Sequence, residues 1–327
     1  MAFWRKGSDR PRLDLAAGDT ELADVLADGQ LDLARAVALL DARPLGSETR
    51  AHAVHAIGLD PRLDQALPPD PEEGSGTALI AVVRRHDLAW EARGRGVTSF
   101  TTEDQFADFH DLLADVEGDL LRLTRSRPGD DVPYWHLLSC ARGLERENDV
   151  VQARFDALRE INPTHRKGYS HVLRRLAPKW GGTMDGMLGF AWESSEHTSA
   201  GSVLHGVVAE ALVEGSVTFI GVGRPDVEAA ELFWKDPRVR DQVQMAFKAF
   251  TTADDADAPW RVRDLNTFLF AAAKTRCVDE EDRARAARRP GQCLPVAVLH
   301  RRRGADVRRR GRRDPPRLTP GLVPLAQ

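Results

Sequence analysis

Several features that would indicate particular protein classes are missing from these 327 residues. The three cysteines, Cys140, Cys277 and Cys293, form no Cys-x-x-Cys pair and no even set. Their spacing argues against a disulfide scaffold or a zinc ribbon and favours a reducing compartment. No stretch approaches the ~20 apolar residues that a membrane helix needs, and the first residues lack the apolar run of a signal peptide. We therefore expect a cytoplasmic protein with no membrane contact.

The motifs of common catalytic and metal sites are also missing. His52 and His55 stand three residues apart, which puts two ligands on one helical face, but no His-Glu-x-x-His motif is present. We expect these two histidines to lie on a solvated helix face. Ser194, Ser195 and His197 lack the Gly-x-Ser-x-Gly elbow of a nucleophilic serine. With no convergent acid–base or metal constellation, the sequence predicts a non-enzymatic protein without a cofactor.

Charge is small overall but unevenly distributed. The formal net charge of −4 argues against nucleic-acid binding by the chain as a whole. Arginine concentrates after Arg283, so we divide the chain into a basic flexible arm (1–18), a helical domain (19–276) and an Arg/Pro-rich disordered tail (277–327). Three interpretations of the tail stay open: a segment that binds nucleic acid or anionic surfaces, a solvated extension without a role, or the frameshifted translation of a GC-rich gene.

Apolar residues recur at three- to four-residue spacing through most of the chain, which predicts helices. The strongest period runs from Phe106 to Leu123, after a cap at Thr102. Gly94 is expected to end the helix before it. Short turns between such segments favour an all-α fold of antiparallel helix pairs.

One segment, a predicted helix–turn–helix unit, has large and small residues at fixed spacing: Trp135, Leu138, Ser139, Phe155 and Pro163. At these positions it resembles a tetratricopeptide repeat, and the residues that depart from this motif are Arg142, Val151 and Leu158. Large residues at these positions fill the gap between two helices, small ones allow close approach, and proline ends the second helix. Because one such unit cannot bury its apolar face alone, it predicts a tetratricopeptide-like array, an α–α superhelix. An irregular compact bundle is the alternative.

Two glycine-rich motifs extend this similarity. The segments Trp-Glu-Ala-Arg-Gly-x-Gly (90–96) and Pro-Lys-Trp-Gly-Gly-Thr (178–183) resemble a family of bacterial tetratricopeptide-like domains of unknown function. The resemblance is strongest over 90–193 and extends over about 20–276. It implies an α–α repeat fold and no particular chemistry.

The same two motifs supply candidate partner-binding residues. Trp90, Glu91 and Arg93 fall on the last turn of a predicted helix, and Lys179 and Trp180 fall at a tight turn before another helix. An aromatic ring beside a cation and a glycine forms either a pocket for a peptide or anion, or a structural latch. Both interpretations stay open.

The repeat register nominates further candidates on the concave side of the array. His136 and Cys140 fall there, together with Pro133, Gly143 and Leu144. These side chains are mostly small and neutral, which disfavours a clamp for the carboxylate of an acidic peptide tail. The leading hypothesis is a protein–protein interaction module that binds an unknown protein or peptide. The alternative is a nucleic-acid- or anion-associated protein that acts through its Arg-rich tail.

Overall fold

The structure is a computed structural model that describes residues 19–27, 29–94, 101–220, 226–252 and 260–277. Within these ranges the chain forms fourteen α-helices and no strand, which confirms the all-α prediction. The predicted arm at 1–18 and the predicted tail, apart from Cys277, lie outside the described residues. No helix in the described ranges is long and apolar enough to cross a membrane.

The helices are numbered here in chain order. The first seven are α1 (Thr20–Leu26), α2 (Leu33–Asp41), α3 (Glu48–Gly58), α4 (Leu63–Ala66), α5 (Gly76–Arg93), α6 (Glu103–Ser126) and α7 (Asp131–Gly143). The remaining seven are α8 (Asn148–Ile161), α9 (Arg166–Leu176), α10 (Met184–Glu196), α11 (His205–Thr218), α12 (Val227–Lys235), α13 (Pro237–Thr251) and α14 (Arg261–Thr275). A short 3₁₀ turn, Pro178–Trp180, links α9 to α10.

Helix ends follow from local chemistry that the sequence displays. Thr102 and Gln105 form a reciprocal capping box at the start of α6, where each side chain bonds the other residue's backbone N–H. Gly94 ends α5 with a φ of 80°, a conformation that costs glycine little. Asp130 accepts from the backbone N–H of Val132 and so caps α7. The predicted start of α6 at Thr102 and the predicted end of α5 at Gly94 are therefore confirmed.

Neighbouring helices along the chain pack against one another, and α9 lies between two groups of them. The helices α5, α6, α7 and α8 pack in succession, and α11 contacts α10, α13 and α14. Helix α9 contacts both α7 and α11. Gly143 allows the close approach of α7 to α6, because a Cβ there would overlap the side chains of Leu113 and Phe109.

Buried ion pairs connect parts of the chain that are far apart in sequence. Arg50 on α3 donates two hydrogen bonds to Asp130 at 2.6 and 2.8 Å, and both side chains are about 1% exposed. Arg166 on α9 makes a similar two-bond contact with Asp264 on α14, at 2.8 Å for each bond. Because both partners of each pair are buried, loss of either one would leave an uncompensated charge inside the protein.

Candidate functional site

A cavity of about 200 Å³ lies among α3, α5, α7 and α9. Each helix contributes residues spaced three or four apart, so each presents one face to the cavity, and those of α7 and α9 are the most polar. The clearest stripe is on α9, where Lys167, His171 and Arg174 follow one another at intervals of four and three residues. The stripe on α7 includes His136, Ser139 and Arg142.

Three cationic side chains line this cavity. Arg142 is 9% exposed, and its guanidinium lies 4.8 Å from the ring centre of Trp90 and 5.4 Å from that of Trp180. The Lys167 ammonium lies 4.2 Å from the ring centre of Trp260. The third cation, Arg174, donates to Oε1 of Glu210 at 3.1 and 3.2 Å. Two cations thus rest on indole rings, a favourable contact that leaves the charge itself unneutralised.

Two carboxylates near the cavity, Glu210 and Asp264, already form ion pairs with arginines. Glu210 contacts Arg166, Arg174 and Arg263 at 2.9, 3.1 and 3.3 Å, and Arg166 also holds Asp264. Burial alone would raise the pKa of Glu210, but the three arginines hold that pKa far below its ordinary range. The negative charge of Glu210 is therefore already balanced by these three arginines.

Within the described part of the chain, Arg142 and Lys167 have no carboxylate partner of this kind. Among the described residues, neither forms an ion pair with a carboxylate, and the buried Arg142 Nε has no hydrogen-bond acceptor. Asp87 also lines the cavity, but its Oδ2 lies 3.5 Å from Arg84, which it shares with Asp64. The cluster as a whole therefore carries excess positive charge.

Burial and mutual repulsion shift the proton affinity of these cations. Burial, with Arg263 and Arg174 nearby, lowers the pKa of Lys167 from 10.5 to about 7. Burial, with Arg174 and Arg93 nearby, lowers the pKa of Arg142 to about 9, so its guanidinium stays charged at neutral pH. A negatively charged group in the cavity would reverse both shifts.

Four imidazoles, those of His55, His86, His136 and His171, complete the lining. Burial lowers the pKa of His136 to about 4 and holds the other three pKa values well below 6.5, so all four rings are neutral at pH 7. His136 Nδ1 donates to the Val132 carbonyl at 2.9 Å, and His86 Nε2 accepts from Trp90 Nε1 at 3.1 Å. The imidazoles therefore offer hydrogen-bonding groups without adding charge.

The sequence-predicted site residues fall into two groups. Trp90 and His136 line the cavity, while Trp180 covers Arg142 and lies 5.9 Å from the Arg93 guanidinium. The remaining three candidates are Glu91, which is exposed; Lys179, which pairs with Glu214 at 2.6 Å; and Cys140, which is fully buried. Burial raises the pKa of the Cys140 thiol, so this side chain acts as a small core residue. The structure thus brings Trp90 and Trp180 of the two glycine-rich motifs together at Arg142, whereas Glu91 and Lys179 of the same motifs do not line the cavity.

The cations of the cavity were not predicted from the sequence. Arg142 stands there as a departure from the repeat motif, and Lys167, His171 and Arg174 belong to no recognised motif. The signal that was available is the spacing of those three residues, which places one basic stripe on α9.

The expectation that His52 and His55 lie on a solvated helix face is wrong. His52 is buried, 4.9 Å from the ring centre of Trp260, and His55 lies 5.6 Å from that of Trp135, so neither is on a solvated face. Each imidazole fills space beside an indole instead. In the described ranges, no group of three or more His, Cys, Asp or Glu residues is arranged to hold a metal ion.

A serine–histidine contact is present, but between other partners than the sequence indicated. Ser195 Oγ lies 2.7 Å from His205 Nδ1, and His205 Nε2 donates to the Ser199 carbonyl at 3.0 Å. Ser195 and His205 are both buried, and His197 is exposed. The contact links α10 to α11 and is a structural one.

Comparison with known proteins gives no further guide to this site. No family model, no curated protein and no solved structure matches the chain.

Proposed function

We propose that this protein is a non-enzymatic binding protein that holds an anionic group of its ligand in the cavity between α3, α5, α7 and α9. The observation that carries the proposal is the pair Arg142 and Lys167, two enclosed cations without a carboxylate partner among the described residues. Transferring a charge from water into a protein costs free energy unless an opposite charge compensates for it. An arrangement that lowers stability in this way is typical of a functional site.

The geometry favours an oxyanion. The Arg142 guanidinium lies over the rings of Trp90 and Trp180, and its buried Nε has no acceptor among the described residues, so it can donate to a ligand. Guanidinium edges match the spacing of carboxylate and phosphate oxygens. The Lys167 ammonium adds a second donor from the facing helix α9. Charge-assisted hydrogen bonds of this kind are about twice as strong as neutral ones.

The size of the cavity limits the ligand. Pockets for drug-sized molecules span about 300–1,000 Å³, and this one measures about 200 Å³. It suits a small free anion or the charged end group of a larger ligand. The Arg174 side chain is 35% exposed, which places the rim of the cavity near solvent.

Calorimetric titration of the full chain tests the proposal, with inorganic phosphate and acetate as probes at constant ionic strength. The unmodified chain should bind at least one of them, and Arg142→Gln should weaken binding at least tenfold. Arg159→Gln is the matched control, because Arg159 is 52% exposed and lies outside the cavity. Equal affinities of the two variants, or no binding by the unmodified chain, would contradict the proposal.

A protein–protein interaction module is the second candidate, favoured by the repeat-like unit of α7 and α8. Trp135 and Phe155 of this unit are buried, and α7 packs on both α8 and α9, which supports tetratricopeptide-like stacking. In this version the anionic group belongs to a partner protein. The interaction would then resist moderate salt, whereas binding through the Arg-rich tail would weaken steeply. That tail lies outside the described residues, and its role and the cytoplasmic location stay predictions.

A further inference from the structure

The cavity offers more polar groups than a single carboxylate can use. On α7, the buried Nε of Arg142 has no acceptor among the described residues, and Ser139 adds a hydroxyl. On α9, the Lys167 ammonium rests on an indole, and the buried Nδ1 of His171 has no hydrogen-bond partner within the same ranges. A carboxylate has two oxygens, so it would leave part of this set without a partner.

The positive charges of the cavity converge on the His171 ring. Lys167 and His171 lie four residues apart and Arg174 follows three residues later, so the three side chains leave one face of α9. Burial lowers the pKa of His171, and the charges of Arg142, Arg174 and Lys167 lower it further. An anion beside this ring would therefore meet cations from both α7 and α9.

Two of these cations remain for a ligand to balance. Arg174 pairs with Glu210 at 3.1 Å, whereas Arg142 and Lys167 form no ion pair within the described part of the chain. The Trp260 ring, 4.2 Å from the Lys167 ammonium, favours the charged form of that side chain, and a bound anion would favour it further. An anion with one charge balances one of the two cations, and a dianion balances both.

We propose that the cavity recognises a dianionic phosphate, either as the free ion or as the end group of a phosphate monoester. This inference rests on the proposed function, since it names the anion that the cavity holds. A phosphate monoester carries about −1.5 to −2 charges at pH 7 and has three oxygens that accept strong hydrogen bonds. These oxygens point in different directions, which suits donors that approach from two separate helices.

The volume admits the phosphate group and little more. A water molecule occupies about 30 Å³ in the liquid, so a cavity of about 200 Å³ corresponds to roughly six or seven water molecules. A phosphate group has fewer non-hydrogen atoms than that and fits inside. The body of a larger monoester would lie outside, at the rim where the Arg174 side chain is 35% exposed.

Calorimetric titration of the full chain at pH 7.5 and constant ionic strength tests this inference. Inorganic phosphate and methyl phosphate are the dianionic phosphates. Dimethyl phosphate keeps the tetrahedral phosphorus with one charge, oxalate is a planar dianion, and acetate is a planar monoanion. At least one of the two dianionic phosphates should bind at least tenfold more tightly than each of the other three probes. This comparison uses the unmodified chain, so it does not depend on the folding of any variant.

A variant tests the part that Lys167 plays. Lys167→Met should weaken the preferred phosphate at least tenfold, to the level of the monoanions, because it removes the second positive charge. Lys235→Met is the control, since that side chain is 70% exposed. Calorimetry in buffers of different ionisation enthalpy adds a second readout. Burial lowers the pKa of Lys167 to about 7 in the free protein, so the dianion should bind with proton uptake, which Lys167→Met should lose.

The outcomes separate this inference from the proposed function. Acetate, oxalate or dimethyl phosphate bound as tightly as both dianionic phosphates would overturn the selection of phosphate and leave anion binding intact. Unchanged phosphate affinity and proton uptake in Lys167→Met would overturn the need for a second cation. Tight binding of inorganic phosphate alone would support the inference and identify the free ion as the ligand, and tight binding of methyl phosphate would identify a monoester. Failure of all five probes to bind would remove both proposals.

Discussion

The proposed anion site depends on Arg142 and Lys167, and different features of the sequence place each of them in the cavity. Arg142 stands where the repeat motif usually has an aromatic residue, and it rests against two indoles supplied by the glycine-rich motifs. Lys167 sits one residue after the buried Arg166, which takes the available carboxylates. Sequence alone could nominate Trp90, His136 and Trp180, because they belong to recognisable motifs. It could not identify which cations would have no ion-pair partner among the described residues, since that depends on contacts across α9, α11 and α14.

Lys167→Met should stabilise the ligand-free protein while removing its anion site. Replacing a buried ion pair with apolar side chains is often neutral or stabilising by about 1–4 kcal/mol, and replacing a lone charge likewise removes the cost of taking it out of water. Urea unfolding at pH 6 measures the change in free energy of unfolding. Lys235→Met is the control, because this exposed lysine should change stability by no more than about 0.5 kcal/mol. A loss of more than about 2 kcal/mol in Lys167→Met, which is what a damaged core costs, would mean that the charge is compensated in the folded state.

At the scale of single helices, local signals predicted much of the structure. The capping box at Thr102, the glycine end of α5 and the apolar period of α6 all depend on neighbours within a few residues. Leu112 and Leu121 of the same period are nevertheless 45% and 40% exposed, because only one face of α6 meets its neighbours. The packing partners of each helix depend on the whole chain, so the cavity between α3, α5, α7 and α9 was not foreseeable from periodicity.

Trp135 tests the packing of α7. It is 2% exposed, so Trp135→Ala should lower the free energy of unfolding by about 3–5 kcal/mol. Trp192→Ala is the control: Trp192 is partly exposed on α10, where its Nε1 donates to Glu196, and the expected loss is about 1–2 kcal/mol. Chemical denaturation measures both. A Trp135→Ala protein within ~0.5 kcal/mol of the unmodified chain would refute the predicted burial.

Alanine substitutions at two helical glycines should change the free energy of unfolding in opposite directions. A Cβ at Gly143 would overlap Leu113 and Phe109, so Gly143→Ala should cost about 1–3 kcal/mol. Gly189 on α10 has no atom within 4 Å of such a Cβ, so Gly189→Ala should gain about 0.5–1 kcal/mol from its better helix propensity. Thermal unfolding of both variants decides the matter. Equal effects would show that α7 and α6 do not approach as closely as described.

For the whole molecule, the cavity links stability to pH. The pKa of Lys167 is lowered from 10.5 to about 7, so between these values the unfolded chain binds more protons than the folded one. The contribution of Lys167 to the free energy of unfolding is therefore least favourable below pH 7 and improves as pH rises toward 10.5. The groups that face it are the imidazoles of the cavity together with Arg142, Arg174, Arg263, Arg166 and Glu210.

Urea unfolding from pH 6 to pH 10 measures this linkage. The difference in free energy of unfolding between Lys167→Met and the unmodified chain should be largest at pH 6 and should shrink steadily above pH 7. Lys235→Met should show no such trend. A difference that stays constant with pH would mean that Lys167 keeps an ordinary pKa in the folded protein.

The class of the fold followed from the sequence, whereas its arrangement did not. Helical periodicity and the shortage of strand-like segments were enough to predict an all-α protein, and the described residues confirm it. The cavity, in contrast, joins residues from His55 to Arg174, and Trp260 approaches it from near the start of α14. Such a site exists only after helices distant in sequence have packed, as the buried pair Arg166–Asp264 illustrates.

The most direct test of the central claim is to locate an anion by anomalous X-ray scattering in crystals of the full chain grown with selenate. If the cavity binds oxyanions, an anomalous peak should appear in it, within hydrogen-bond distance of the Arg142 guanidinium and the Lys167 ammonium. Peaks confined to the protein surface, with no selenate in the cavity, would contradict this claim.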